Sequence, residues 1–297
     1  MKLKLTLYIS VFILASVFCI YYFFPSETLE NFLALNIKKI DSKLDINIEK
    51  TELSFPLGVS FKGIDLFYKK DELIRLDRVR ISPEIFSVLG QKPIFKFKAY
   101  TCGGFVSGQV NINKNDLNKE KPVIFIDTSL NDISIKDIHG IYMLMGGKIT
   151  EILAGTLEGK AEFRLQNGAV NYADANVCFS DCSIKLAEPL SDSFSMGQNF
   201  FFSSISTDFI LNNRKLKIKE FIINSDKIEA RVSGSVVIKK PAANSLLNLN
   251  GKIKPGLPFI TELVKSYPFI SFFKKNGLIT LPLKINGTVN QPGFSLM

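Results

Sequence analysis

The chain has 297 residues, is 46% hydrophobic, carries a formal net charge of +9, and contains one histidine and no tryptophan. That length supplies one large or two ordinary domains with a sizeable core. A single imidazole, His139, excludes His-based triads and His-rich metal sites everywhere else. No block of like charge exceeds a few residues, so the basic balance reads as solvated surface rather than a nucleic-acid face.

The first feature in chain order is an uncharged apolar run over residues 5–24, behind Lys2 and Lys4. About 20 apolar residues match a bilayer core as a helix, and the flanking lysines put the N-terminus in the cytoplasm. Leu5, Leu7, Ile9, Phe12, Leu14, Val17, Ile20 and Phe23 form this expected membrane anchor. A cleaved signal peptide is the competing reading. The length of the run, and the lack of a good small-x-small site beyond Ala15-Ser16, favour an uncleaved span. The chain is thus expected in three parts: residues 1–24 the anchor with a short cytoplasmic tip, 25–44 an amphipathic helix, and 45–297 a β-rich body outside the cytoplasm.

In the second part, Ser26 is placed to cap a helix whose apolar positions are Leu29, Phe32, Leu33, Ile37 and Ile40. Such a helix packs on one end of a sheet. Alternatively it lies on the membrane surface, since Lys38, Lys39 and Lys43 share its end.

From residue 45 the pattern is β. Ile46 and Ile48 alternate with polar residues, and the phase flips near Gly63, where a bulge is expected. Residues 69–72 (KKDE) read as a hairpin tip, 83–89 as a short helix and 113–122 as a polar loop. Residues 123–135 read as one strand or two, and 137–152 as the main helical interruption. Residues 167–200 are the least periodic, with short strands at 176–179 and 183–186. Residues 205–238 carry the clearest signal, a three-stranded meander turning at Asn212-Asn213 and at residues 224–226, with a bulge near Glu220. Its last run places Ile228, Ala230, Val232, Gly234 and Val236 on one face against Glu229, Arg231, Ser233 and Ser235 on the other. Residues 258–275 read as a helix broken at Pro268, and residues 279–289 as a last one-faced strand.

Chemistry-bearing candidates are few. Gly155-x-x-x-Gly159-Lys160-Ala161 is one residue short of a phosphate loop and lacks its Ser/Thr. Cys178 and Cys182 are the one close cysteine pair. On a straight strand they stand ~13 Å apart, so a disulfide between them requires a tight turn at Ser180-Asp181. Lys96 and Lys98 alternate with Phe95 and Phe97, so lysines and aromatics face opposite ways and form no stacking platform. No catalytic, metal-binding or cofactor-binding residue is assigned, and no enzyme activity, cofactor or nucleic-acid partner is expected.

Several motifs in order carry a resemblance: residues 55–66 (FPLGVSFKGIDL), 76–83 (LDRVRISP), 103–108 (GGFVSG), 155–159 (GTLEG) and 281–294 (LPLKINGTVNQPGF). Together with the N-terminal run, they make the chain similar to the type II secretion system protein N family of the Leptospira and deltaproteobacterial kind. The ending also resembles the wider AsmA-like group of envelope proteins with long β-grooves. The resemblance implies an accessory inner-membrane component of the general secretion pathway, single-pass, with a periplasmic body that contacts other secretion or envelope proteins. The alternative it carries is a lipid-binding or lipid-transfer groove. The expected fold is mainly β: an elongated, curved antiparallel sheet, a groove or roll of hairpins with a few short helices. Val232, Val236, Leu281, Leu283 and Ile285 would line the groove, unless the same residues fill a closed core.

Overall fold

The structure is a computed structural model. It describes residues 8, 12, 21–55, 57–88, 90–112, 123–138, 140, 149–166, 169–186, 199–256, 274–275 and 278–296. The expected loop at 113–122, His139, most of the apolar N-terminal run and most of the expected helix at 258–275 lie outside them. Of the anchor positions, Phe12 and Phe23 are described; Phe12 is helical, and both are exposed. Among the described residues no helix is long and apolar enough to cross a membrane.

One helix, α1 (Ser26–Ile40), leads into the sheet and packs against its first strand. Ser26 is the first helical residue rather than the cap. Pro25 holds the cap position, and no side chain caps the helix. The expected capping bond is therefore absent, because proline fixes the entry and places the serine one position too late.

Among the described residues sixteen strands follow. They are β1 (Leu44–Ser54), β2 (Gly58–Tyr68), β3 (Asp71–Pro83), β4 (Ile94–Thr101), β5 (Gly104–Ile112), β6 (Val123–Ser134), β7 (Ile149–Gln166) and β8 (Ala169–Leu186). Then come β9 (Asn199–Asn212), β10 (Lys215–Ser225), β11 (Ile228–Val237), β12 (Leu246–Pro255), β13 (Lys274–Lys275), β14 (Leu278–Ile279), β15 (Leu281–Thr288) and β16 (Pro292–Leu296). A short helix α2 (Ile85–Val88) sits between β3 and β4. All strands but β13 and β14 form a single 14-stranded antiparallel sheet in chain order, β1 to β12 and then β15 and β16. The first and last strands are not neighbours, so the sheet is open. At ~4.8 Å per strand it is about 60 Å wide.

The turns explain the connectivity. Lys69-Lys70, Cys102-Gly103 and Asn213-Arg214 all have positive φ at both positions, and each joins strands that pair immediately beyond it. Left-handed pairs of this kind match the twist of the strands they join. The expected turn at Asn212-Asn213 is displaced by one residue. The expected bulge in the meander is present, with register shifts between Ile218 and Phe221.

Three expectations differ from the structure. At Gly63 (φ 58) the β1–β2 and β2–β3 registers do not shift. Instead the alternation resets in both strands at once, at Glu49-Lys50 and at Lys62-Gly63, so Phe61 and Ile64 are both buried. A Cβ on Gly63 would run into the Glu49 side chain. Of the helix expected at 137–152, residues 149–152 belong to β7 instead and Gly140 is helical, while 139 and 141–148 lie outside the described residues; Ile135–Asp137 makes a short 3-10 turn just before it. The region around residue 180 is one 18-residue strand rather than two short ones. Asp181 (φ 50) interrupts the alternation there, which hid the strand from a period-2 reading. Ile135, Ile152 and Cys182 pack together beside this irregularity, with Leu157, Phe179 and Phe202 against them.

Candidate functional site

Directly opposed residues in an antiparallel pair lie on the same face of a sheet. The pairing register therefore defines rows that cross the whole molecule. One row takes a residue from each of the fourteen strands: Leu53, Val59, Ile81, Phe97, Gly108, Thr128, Ala161, Ala175, Phe209, Ile218, Gly234, Leu249, Ile285 and Phe294. Its single polar side chain, Thr128, donates its hydroxyl to the Ala161 carbonyl at 3.1 Å and so offers nothing to the face. A parallel row runs through Phe61, Val79, Val106, Leu130, Val177, Phe221, Val232 and Leu283.

One residue away, the composition inverts. Arg80, Lys98, Ser107, Ser129, Lys160, Asn176, Asp208 and Glu220 form a row on the opposite face. This face carries the ion pairs. Lys219 bridges Asp174 at 3.3 Å and Asp208 at 3.1 Å, which raises its pKa. Glu52 lies between Lys50 at 2.5 Å and Lys62 at 2.7 Å; hydrogen bonds from both ammonium groups lower its pKa to about 2.

The apolar face is open along most of its length. In the fourteen-residue row only Ala161 and Ala175 are buried, Ile81 and Phe294 are exposed, and the bulky members Phe97, Phe209, Ile218, Leu249 and Ile285 are half-buried. A sandwich or filled barrel would bury these large side chains first and leave the alanines indifferent. Small residues cluster instead where β5 to β8 cross. Gly108 lies beneath Phe97, whose ring would stand 2.9 Å from an added Cβ.

All five residues expected to line a groove share this face. Val232 aligns with Gly251 and Leu283, Ile285 with Leu249, Val236 with Leu247, and Leu281 with Ile253 and Ala230. Val236 and Leu281 are buried, and the other three are half-buried. Reading the sequence missed that the face extends through β1 to β10, with Phe97, Phe209 and Ile218 as its bulkiest members. Each strand's alternation was visible, but which strands adjoin was not.

Reactive groups do not converge. Among the described residues no three His, Cys, Asp or Glu side chains are placed to hold a metal ion. Cys178 and Cys182 are free, not bridged. Strand β8 runs straight past Asp181 and keeps pairing with β9 through Ser180 and Cys182, so the turn a disulfide required is absent. Burial pushes the Cys102 and Cys182 thiols up, away from the reactive thiolate. The segment from Gly155 to Lys160 is extended within β7 rather than a loop before a helix. Lys98 reaches over the Phe105 ring at 3.9 Å on the polar face, away from Phe97. No protein-family model, curated protein or solved structure matches the chain.

Proposed function

We propose that the protein is a non-catalytic, membrane-anchored envelope protein whose sheet offers its apolar face to the acyl chains of lipids. One observation carries this reading: large apolar side chains are only partly buried in a row that crosses all fourteen strands of the sheet. A contiguous apolar surface of this extent is costly in water and marks a binding surface in soluble and peripheral proteins. The polar reverse face, laced with ion pairs, suits solvent. The proposed setting is a bacterial inner membrane, crossed once by residues 5–24, with the N-terminus cytoplasmic and the body periplasmic.

The test uses the full chain reconstituted with a phospholipid bearing a photoactivatable group on its acyl chain. Adducts are expected on Ile218, Leu249 and Ile285. Adducts confined to the N-terminal run would overturn the reading.

A second reading has an observation of its own. Strand β16 pairs on one side with β15, no other described strand pairs with it, and its Phe294 is 66% exposed, so among the described residues the apolar row ends at an open strand edge. Edges of this kind accept a further strand from another protein. With the resemblance to the secretion family, this supports an accessory role in the type II pathway. Deleting the gene and assaying exported enzymes tests it, and unchanged secretion would count against it.

A further inference from the structure

Helix α1 carries two apolar stripes. Leu29, Leu33 and Ile37 are half-buried on the side that meets β1. Phe32 and Leu35 are 61% and 62% exposed on another side. Helical spacing puts Lys39 on that second stripe and leaves Glu27 and Glu30 off it. A solvated helix face is normally polar, so an outward Phe-Leu pair flanked by lysine is unexplained by packing on the sheet.

Just beyond α1, two basic segments are tied together. The Lys69 amide donates to the Lys43 carbonyl at 2.9 Å, which fixes the β2–β3 hairpin tip against the turn leading into β1. Between them lies a cavity of about 490 Å³ whose lining includes Lys38, Lys43, Asp45, Phe67, Lys69 and Lys70. Lys38 is already paired with Asp45 at 3.1 Å. Among the described residues none of Lys39, Lys43, Lys69 and Lys70 has an acidic side chain within salt-bridge distance. Lys69 lies 5.8 Å from the Tyr68 ring centre. The acidic groups nearby in sequence are Asp41, which accepts the Lys43 amide at 2.9 Å, and Asp71 and Glu72, which follow the hairpin tip.

We infer that α1 lies along an anionic membrane surface, with Phe32 and Leu35 inserted among the acyl chains and Lys39, Lys43, Lys69 and Lys70 meeting lipid phosphates. The exposed apolar stripe, the adjoining uncompensated positive charge and the apolar run immediately upstream point to the same occupant. This placement is independent of what fills the sheet's apolar face. It also orients the body: β1 lies at the membrane, and the strand order leads away from it.

The absence of tryptophan gives a clean reporter. Phe32→Trp in the full chain, reconstituted into phosphatidylglycerol vesicles containing lipid brominated on its acyl chains, is expected to emit blue-shifted light and to be quenched. In phosphatidylcholine vesicles the quenching should be markedly weaker. Changing Lys43, Lys69 and Lys70 to Ala in the same background should lower the surface-bound fraction of α1, by about fivefold in the bound-to-free ratio per lysine. Changing the exposed Lys215, Lys217 and Lys239 together, an equal charge loss elsewhere, should leave it unchanged. Flotation of the reconstituted chain scores the anchor separately from the surface contact. Water-like, unquenched emission in phosphatidylglycerol overturns the inference. So does a blue shift that tracks protein concentration and ignores brominated lipid, since a second copy would then cover the stripe. Quenching that is equal in both lipids overturns the role of the lysines.

Discussion

Truncating Leu249 separates an open apolar face from a roofed core. Leu249 is half-buried, faces Gly234 on one side and Ile285 on the other, and belongs to the row in which bulky side chains keep contact with solvent. Leu249→Ala removes three carbons, about 2.4 kcal/mol of transfer free energy if fully buried. Partial exposure reduces that, and with no opposing layer among the described residues the truncation leaves no enclosed void, so the cavity contribution disappears. The expected loss is about 1–2 kcal/mol. Phe61, only 4% exposed, is the internal comparison: Phe61→Ala should cost about 3–5 kcal/mol. The assay is urea unfolding of the full chain in mild detergent, followed by circular dichroism of the strand signal. If Leu249→Ala costs as much as Phe61→Ala, a second layer covers the face and the reasoning fails.

Three further outcomes follow from local geometry. Gly63→Ala places a β-carbon in the left-handed region and against Glu49, and should lower stability by about 1–2 kcal/mol in the same unfolding assay; an unchanged midpoint would show that the kink relaxes freely. Glu52 has a folded pKa of about 2 against an ordinary value of 4.5, so its contribution is complete above pH 4.5 and fades as pH falls toward 2. Glu52→Gln should therefore be slightly less stable than the parent at neutral pH and converge with it near pH 2, whereas a constant difference across that range would remove the linkage. Without reductant, iodoacetamide should label both Cys178 and Cys182, the half-buried Cys178 faster than the buried Cys182 with its raised pKa; a resistant pair that labels only after reduction would indicate a bridge.

The class of fold was legible because the alternation in β10, β11, β12 and β15 is nearly unbroken, and each strand marks its own wet and greasy sides. The meander and its bulge were legible for the same reason. What failed were the places where one residue adopts a left-handed backbone inside a strand. Asp181 and Asp132 look like turn residues, and each sits within a continuous strand. An aspartate there tolerates the conformation and resets the alternation, so β8 read as two fragments and β6 as one strand or two. The candidate surface was half legible. Val232, Val236, Leu281, Leu283 and Ile285 could be placed on one face of two strands from spacing alone. Their continuity with Phe97 or Val59 depends on register across the six or eight strands between β11 and β4 or β2, and register is a tertiary property that a single sequence does not print. On α1 the sequence put Phe32 and Ile40 on one apolar face with Leu29, Leu33 and Ile37 and did not single out Leu35; both Phe32 and Ile40 are exposed, because which positions the sheet covers depends on how the helix docks.

The strand order also governs how the chain can assemble. Every strand from β2 to β12 adds to the one that precedes it in sequence, so contacts form over short separations and loop closure costs little at each step. A chain emerging in sequence order therefore completes its sheet edge by edge, without waiting for the last residues. Strands β13 and β14 break that progression, since they pair with each other and β12 is joined by β15. The edge of β12 is therefore the step at which a half-finished molecule stays longest open to capture by a stray strand, and where a chaperone would have most to gain.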